Sequence, residues 1–269
     1  MLRFFQIFQN LGTPILFIFL ECTCLFLIIR YNKGQREIFL HSSNELVSGI
    51  VRHRARIKQS LDLKIHNDEL LDQNARLIEE LVNSRPRVIV DSALQSKYSV
   101  IPANVINRSI YSRNNHITLD IGRNDGIDKT MGVLGSNGIV GVIKQVSAHY
   151  STVISLLNVD LRISTAIKDK GYSGYLIWSG NDFFSFKLHG IPKHANIVIG
   201  DEIVTSGHST IFPMGIYIGK VDAYTVVEGG AFYDINARID QDLTKSDQVY
   251  VINNKDFEEI RDVERSYEN

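Results

Sequence analysis

Cysteine is almost missing from this sequence. There are two in 269 residues, Cys22 and Cys24, both inside one apolar run. Two residues apart on a helix they point about 200° apart, so they cannot form an ordinary disulfide with each other. No cysteine follows residue 24, which excludes a disulfide framework or thiolate metal site in the rest of the chain. Net charge is also missing, at −1. A chain built to hold nucleic acid by its phosphates carries a basic excess, and this one does not. Proline is scarce, with five residues and none between 35 and 83. Neither a Walker A loop nor a Gly-x-Gly-x-x-Gly turn occurs.

Long apolar runs are limited to one. Residues 11–29 read LGTPILFIFLECTCLFLII, and Arg30 ends them. As a helix, nineteen residues reach roughly 28 Å, close to the thickness of a bilayer core. The reading is a retained transmembrane helix, because Arg30-Tyr31-Asn32-Lys33 makes a poor signal-peptide cleavage site. Glu21 lies mid-span, where an ionisable group is costly unless protonated or facing another helix. Arg3 precedes the span, and Arg30, Lys33 and Arg36 follow it. By the positive-inside count this leans weakly towards a cytoplasmic body.

Residues 35–83 contain a single glycine, Gly49, and recurring apolar positions. Leu63, Leu70 and Leu77 are seven apart. With these at d, Asn67, Asn74 and Leu81 fall at a, and an Asn at a sets register and oligomer state. Val47, Ile50, Ile57 and Leu61 follow another frame, so a discontinuity is expected near Asp62. The pattern predicts a coiled-coil stalk over 35–83 that pairs two copies. Against it stands a helix packed on its own domain. The cluster Arg52, Arg54, Arg56 and Lys58 reads as a solvated face, against a contact with anionic lipid or a partner.

Arg85-Pro86-Arg87 stops the helix, and the period changes to two. His116–Ile121 alternates apolar and polar, and Met131–Leu134 with Ile139–Ile143 reads as a hairpin around Asn137-Gly138. Short strands are expected at 153–157, 163–167, 174–178, 183–188, 197–199, 202–205, 216–221, 223–227, 231–239 and 249–252. The fold class is therefore mainly β: an N-terminal transmembrane helix, a long coiled-coil helix, then two small β-barrel-like subdomains. The expected divisions are a short segment 1–10, the span 11–29, the stalk 35–83, a first β subdomain 87–157, a second 158–252 and a charged tail 253–269. A return of the last strands to the first subdomain stays open.

Catalytic patterns are weak. Gly171-Tyr172-Ser173-Gly174 has the look of a serine-protease nucleophile turn. His116 or His149 with Asp160 would complete a triad in the right order, but at spacings much too short for a two-barrel protease. His189 and His194 suit neither a helix face nor a zinc motif. No cofactor and no metal is expected, and the chain reads as a non-enzyme.

Several segments together carry a resemblance. They are Ile117–Gly122 with Asp125-Gly126, Met131-Gly132-Val133, Gly138-Ile139-Val140-Gly141, and Gly174–Trp178. Gly200-Asp201 with Thr205-Ser206-Gly207, Phe212-Pro213-Met214-Gly215 and Gly219-Lys220-Val221 complete the set. On these, and on the order anchor, helix, β body, the chain resembles MreC, the rod-shape-determining membrane protein, in a Bacteroidetes-like form. The resemblance implies a single-pass protein of the inner (cytoplasmic) membrane with its body in the periplasm. It implies a non-enzymatic scaffold of the elongation machinery that organises and activates peptidoglycan synthases. The implied partners are a class B penicillin-binding transpeptidase, RodA, MreD and, through the membrane complex, MreB. A homodimer through the stalk and further self-association are implied as well. The motif residues Gly122, Asp125, Gly126, Gly138, Gly141, Gly174, Gly200, Asp201, Thr205, Ser206, Gly207, Phe212, Pro213, Gly215 and Gly219 read as structural. Tyr172, Trp178, Phe183, Phe184 and Phe212 are candidates for partner docking, against a simpler role in the core. The rival reading is a periplasmic adaptor of an export system. That class places a helical hairpin between its β halves, and only one long helix precedes them here.

Overall fold

The computed structural model describes residues 14, 16–27, 62–84, 97–226, 229–245 and 247–265. Two compact units divide between Asp68 and Glu69. In the first, residues 16–27 form a helix, α1, exposed throughout and including Glu21, Cys22 and Cys24. Among the described residues no helix is long and apolar enough to cross a membrane. Most of the expected stalk, 35–61, and its discontinuity lie outside the described residues. Its last part is helix α2, residues 62–83.

The body is two closed antiparallel barrels of six strands. The first takes β1 (Tyr98–Arg108), β2 (Asn114–Leu119), β3 (Gly132–Gly135), β4 (Gly138–Val146), β5 (Ser151–Asn158) and β12 (Gln248–Asn254). Their order around the barrel is β1-β12-β3-β4-β5-β2. The second takes β6 (Ile163–Ile167), β7 (Ser173–Trp178), β8 (Ser185–His189), β9 (Glu202–Thr205), β10 (Tyr217–Val226) and β11 (Tyr233–Ile239). It closes in the order β10-β11-β8-β7-β6-β9. Closure leaves few free strand edges. The chain's last strand returns to the first barrel, so the second subdomain ends with β11 rather than at residue 252.

Period two explains β2. Asn115, Ile117 and Leu119 point inward and are buried, while His116 lies outward. The expected β3–β4 hairpin forms, but Gly135 pairs with Gly138 across Ser136-Asn137, so the turn lies one residue before the expected Asn137-Gly138 and Gly138 opens β4. Leu119, Val133, Val153, Leu157 and Val249 are fully buried in the first barrel, and Leu176, Phe186, Leu188, Ile203 and Ile235 in the second.

Four expectations need correcting. Strand β1 is not evident in the sequence, because Pro102 and two asparagines, Asn104 and Asn107, break its alternation. Pro102 is accommodated because even-numbered β1 residues turn their N–H groups away from β12, towards the side where β2 pairs only from Val105 onward. Residues 197–199 are a turn, not a strand. The strands expected at 216–221 and 223–227 are one strand, β10, ending at Val226 with a register shift at Asp222, and residue 227 lies outside the described residues. A bulge keeps the ladder continuous where alternation in the sequence breaks. The charged tail begins inside β12, and within it Phe257–Arg265 form helix α3, a short helix being one of the two forms open to this segment.

Candidate functional site

Helix α2 shows two apolar stripes. Leu71, Ala75, Ile78 and Val82 are spaced 4-3-4 and join the buried core of the body. At the end of the helix the side chains act as a substitute strand. Asn83 Nδ2 donates to the Tyr98 carbonyl (3.0 Å), and Asn83 Oδ1 accepts from the Tyr98 N–H (3.1 Å). Glu79 Oε2 accepts from the Val100 N–H (3.1 Å). These bonds satisfy the half of β1 that β2 does not reach. Asn83→Ala is expected to cost about 1–2 kcal/mol by leaving that edge unpaired. Faster amide exchange at Tyr98 and a lower denaturant midpoint would show it.

The other stripe is open. Leu63, Leu70, Leu77 and Leu81 are 64%, 56%, 57% and 66% exposed. At about 100° per residue, this stripe lies roughly 100° around the helix from the docked one. The sequence set pairing of copies against packing on the chain's own domain. The helix packs on its own domain with one face and leaves the heptad leucines outward on another.

A second constellation gathers the motif residues between the barrels. Thr205 Oγ1 accepts from the Ile216 N–H (2.8 Å) and donates to the Pro213 carbonyl (2.5 Å). The Gly215 N–H donates to the Thr205 carbonyl (2.9 Å), which fastens the ends of the 206–214 loop together. Ser206 and Ser164 share a hydroxyl–hydroxyl bond of 2.8 Å. This loop presents Phe212, only 2% exposed, to the first barrel. A Cβ on Gly132 would lie 2.4 Å from the Phe212 ring. Asn254 Nδ2 donates to the Thr210 carbonyl (2.7 Å) beside it. Gln241, after β11, reaches back to the β3–β4 turn, where its Oε1 accepts from the Asn137 N–H (3.0 Å). A Cβ on Gly135 would lie 1.8 Å from Gln241 Nε2. Thr205, Phe212, Pro213, Gly215 and Gly138 thus meet at one interbarrel joint.

The remaining motif residues serve their own barrels. Asp125 accepts from the Gly122 N–H (2.8 Å) across the short 3-10 turn Arg123–Asp125. Gly122 itself has an extended backbone, and a Cβ there would strike the Tyr150 N–H at 2.6 Å. It is kept small by close approach, not by positive φ. Asp201 is held by Lys170 (2.6 Å) and the Val198 N–H (2.8 Å). Gly126, Gly200 and Gly207 take positive φ in turns, whereas Gly141, Gly174 and Gly219 admit a neighbouring strand's carbonyl within 2.2 Å of where a Cβ would stand. Beside the joint, burial raises the Tyr217 phenol well above its usual range, and its hydrogen bond to Asp240 adds to this.

The aromatic docking candidates are not surface groups. Trp178 and Phe212 are buried, and Tyr172, Phe183 and Phe184 pack half-buried against the core. Among the described residues of the barrels the exposed aromatics are others, Tyr111, Tyr150, Tyr175, Tyr224 and Phe232. His189 stacks on Tyr175 and His194 meets Tyr172 edge-on. Ser173 opens β7 in the second barrel while His116 is on β2 of the first, and among the described residues no hydrogen bond joins Ser173 to His116, His149 or Asp160. Among the described residues no group of His, Cys, Asp or Glu is placed to hold a metal ion. The sequence offers no signal for Gln241, Asn83 or Glu79, since each is an ordinary polar residue at the end of an element.

Residues 105–253, more than half of the chain, match the barrel core of the rod shape-determining protein MreC. The chain belongs to the MreC family. Proteins named cell shape-determining protein MreC from Listeria monocytogenes, Cereibacter sphaeroides and Streptococcus pneumoniae are 26%, 28% and 27% identical over 70%, 66% and 64% of this chain. The chain spans 67%, 54% and 65% of their lengths. Among solved structures, the Listeria MreC is 25% identical with a TM-score of 0.56, covering 75% of this chain and 93% of its own. The major periplasmic domain of a cell shape-determining filament MreC, also 25% identical, has a TM-score of 0.52 and covers 61% and 100%. The matched residues run from β1 to β12, so the interbarrel joint lies inside the family's barrel core.

Proposed function

We propose that this chain is a membrane-anchored, non-enzymatic scaffold of cell elongation, which pairs through its stalk and holds two rigidly joined barrels against peptidoglycan synthases. The observation that carries the reading is the open leucine stripe on α2. A helix already docked on its own barrel has no internal need for Leu70, Leu77 and Leu81 in register on a second face. Membership of a rod shape-determining family supports a role in cell shape. The apolar run 11–29 supports an anchor in the inner membrane. A periplasmic body is supported by the solved periplasmic domain of the relative, while the charges flanking the span lean weakly the other way. The partners proposed are a class B penicillin-binding transpeptidase, RodA and MreD, with MreB linked through the membrane complex. The work proposed is alignment and activation, for which a pairing stalk and two barrels fastened at a joint are suited.

Depletion in growing cells tests this. Cells are expected to widen or round, with peptidoglycan insertion dispersed over the surface as read by a fluorescent D-amino acid. Unchanged width and insertion, with a defect in export instead, would overturn the scaffold in favour of an export adaptor.

A further inference from the structure

The second barrel leaves one stretch of strand unpaired. On β11, Tyr233 donates its N–H to the Ile191 carbonyl (2.9 Å) and Ile239 to the Phe184 carbonyl (3.0 Å). Odd-numbered β11 residues therefore turn their backbone groups away from β10. Val226 stands opposite Tyr233, and Tyr224 opposite Ile235. In an antiparallel ladder both partners of such a pair turn outward together. So Tyr224 and Val226 direct N–H and C=O to the far side of β10. On that side β9 reaches only Tyr217–Lys220. Val221 is still served, by the Gly200 N–H (2.8 Å) and the Asp201 carbonyl (2.9 Å). Past the bulge at Asp222, the outward groups of Tyr224 and Val226 meet no partner among the described residues. The other edge of the same ribbon is covered, since Lys193 donates to the Ala231 carbonyl (3.0 Å) and Pro192 bridges Phe232.

The side chains fit this edge. Tyr224 and Val226 lie on the face that carries the fully buried Ile235 deeper in the barrel, but emerge 36% and 56% exposed. Tyr233 meets Tyr224 edge-to-face at 5.4 Å. The opposite face is polar, with Asp234 paired to Lys187 (2.8 Å). We infer that residues 222–226 accept a short extended segment of a partner protein as an added strand. This rests on the scaffold reading and names the docking surface that reading requires. Two outward backbone pairs one alternation apart match only an extended chain. That segment carries apolar residues at alternate positions, facing Tyr224 and Val226. A Lys or Arg at its end answers the exposed Asp222. The leucine stripe of α2 is the surface suited to a copy.

The test uses the full chain in nanodiscs and the purified class B transpeptidase of the same cell. Transpeptidase binding is expected to slow amide exchange at Tyr224 and Val226. Val226→Pro removes one outward N–H that has no internal partner, and should weaken binding about threefold to tenfold. Val226→Lys places a charge on the apolar face and should weaken it further, with the melting temperature of both variants unchanged. Undiminished binding by both variants, with no protection at residues 224 and 226, would overturn this inference and leave the scaffold reading standing. No binding by the unaltered chain would overturn both. Protection that instead rises with the concentration of the chain alone would reassign the edge to a second copy.

Discussion

Replacing Leu70 and Leu77 together by Glu is expected to convert a dimer into a monomer without unfolding the barrels. Both leucines are more than half exposed on the described helix, so the single chain loses little when they change. In a paired stalk each becomes a buried d residue. Burying a leucine contributes about 1.5–3 kcal/mol, and a symmetric dimer loses it at four places. Adding like-charged carboxylates across the seam makes matters worse. The dissociation constant should rise by at least about a thousandfold. Sedimentation equilibrium of the full chain in detergent measures it. The companion change Leu71→Ala touches the docked stripe, where Leu71 is 5% exposed, and should cost about 2–4 kcal/mol of folding stability. It should act on the melting temperature first. A double Glu variant that stays dimeric would place self-association on some other surface.

Phe212→Ala should be the most damaging single change to the body. The ring is 2% exposed and packs against Gly132 of the other barrel. Its removal leaves a cavity that the closed strands on either side cannot collapse to fill, at about 3–5 kcal/mol. For a body of this size that corresponds to a fall of about 10 °C in melting temperature. The loss should also separate the barrels, so that amide exchange in β6–β11 no longer tracks that in β1–β5 and β12. Gly132→Val acts on the same contact from the other side, by overfilling it. A Phe212→Ala protein that melts within a degree of the unaltered chain would show that the joint is not held by this ring.

Much of the architecture is legible because its signals are local. The alternation at His116–Ile121 places Ile117 and Leu119 inside. Asn137-Gly138 marks a hairpin, although the two loop residues are Ser136 and Asn137. Gly200-Asp201 and Ser206-Gly207 bracket β9. Where the signal is not local the reading falls short. β1 is hidden because Pro102 looks forbidden until the side its nitrogen faces is known. Asp222 splits β10 into two strands on paper, since a bulge and a turn both interrupt alternation. The aromatic candidates were drawn from residue type, and type does not distinguish an interface anchor from a core residue. The joint was half visible. Thr205, Phe212, Pro213 and Gly215 stand out as a motif, but Gln241 and Gly135, which complete the contact, are single residues far from it in the chain.

By itself the sequence determined the kinds of element, the helix-then-strand order, the absence of disulfide chemistry and the motif that marks the family. These depend on periodicity and on turn residues, which act over a few positions. Tertiary structure alone decided which stripe of α2 is buried. The stripes through Leu71 and Leu70 have equally good helical spacing, and only the position of the β1 edge beside Glu79 and Asn83 distinguishes them. It also decided that β12 closes the first barrel across the whole second one, and that Gln241 seats in the space left by Gly135. Pairings at such separations depend on which surfaces complement one another in three dimensions, and no local pattern of residues records that.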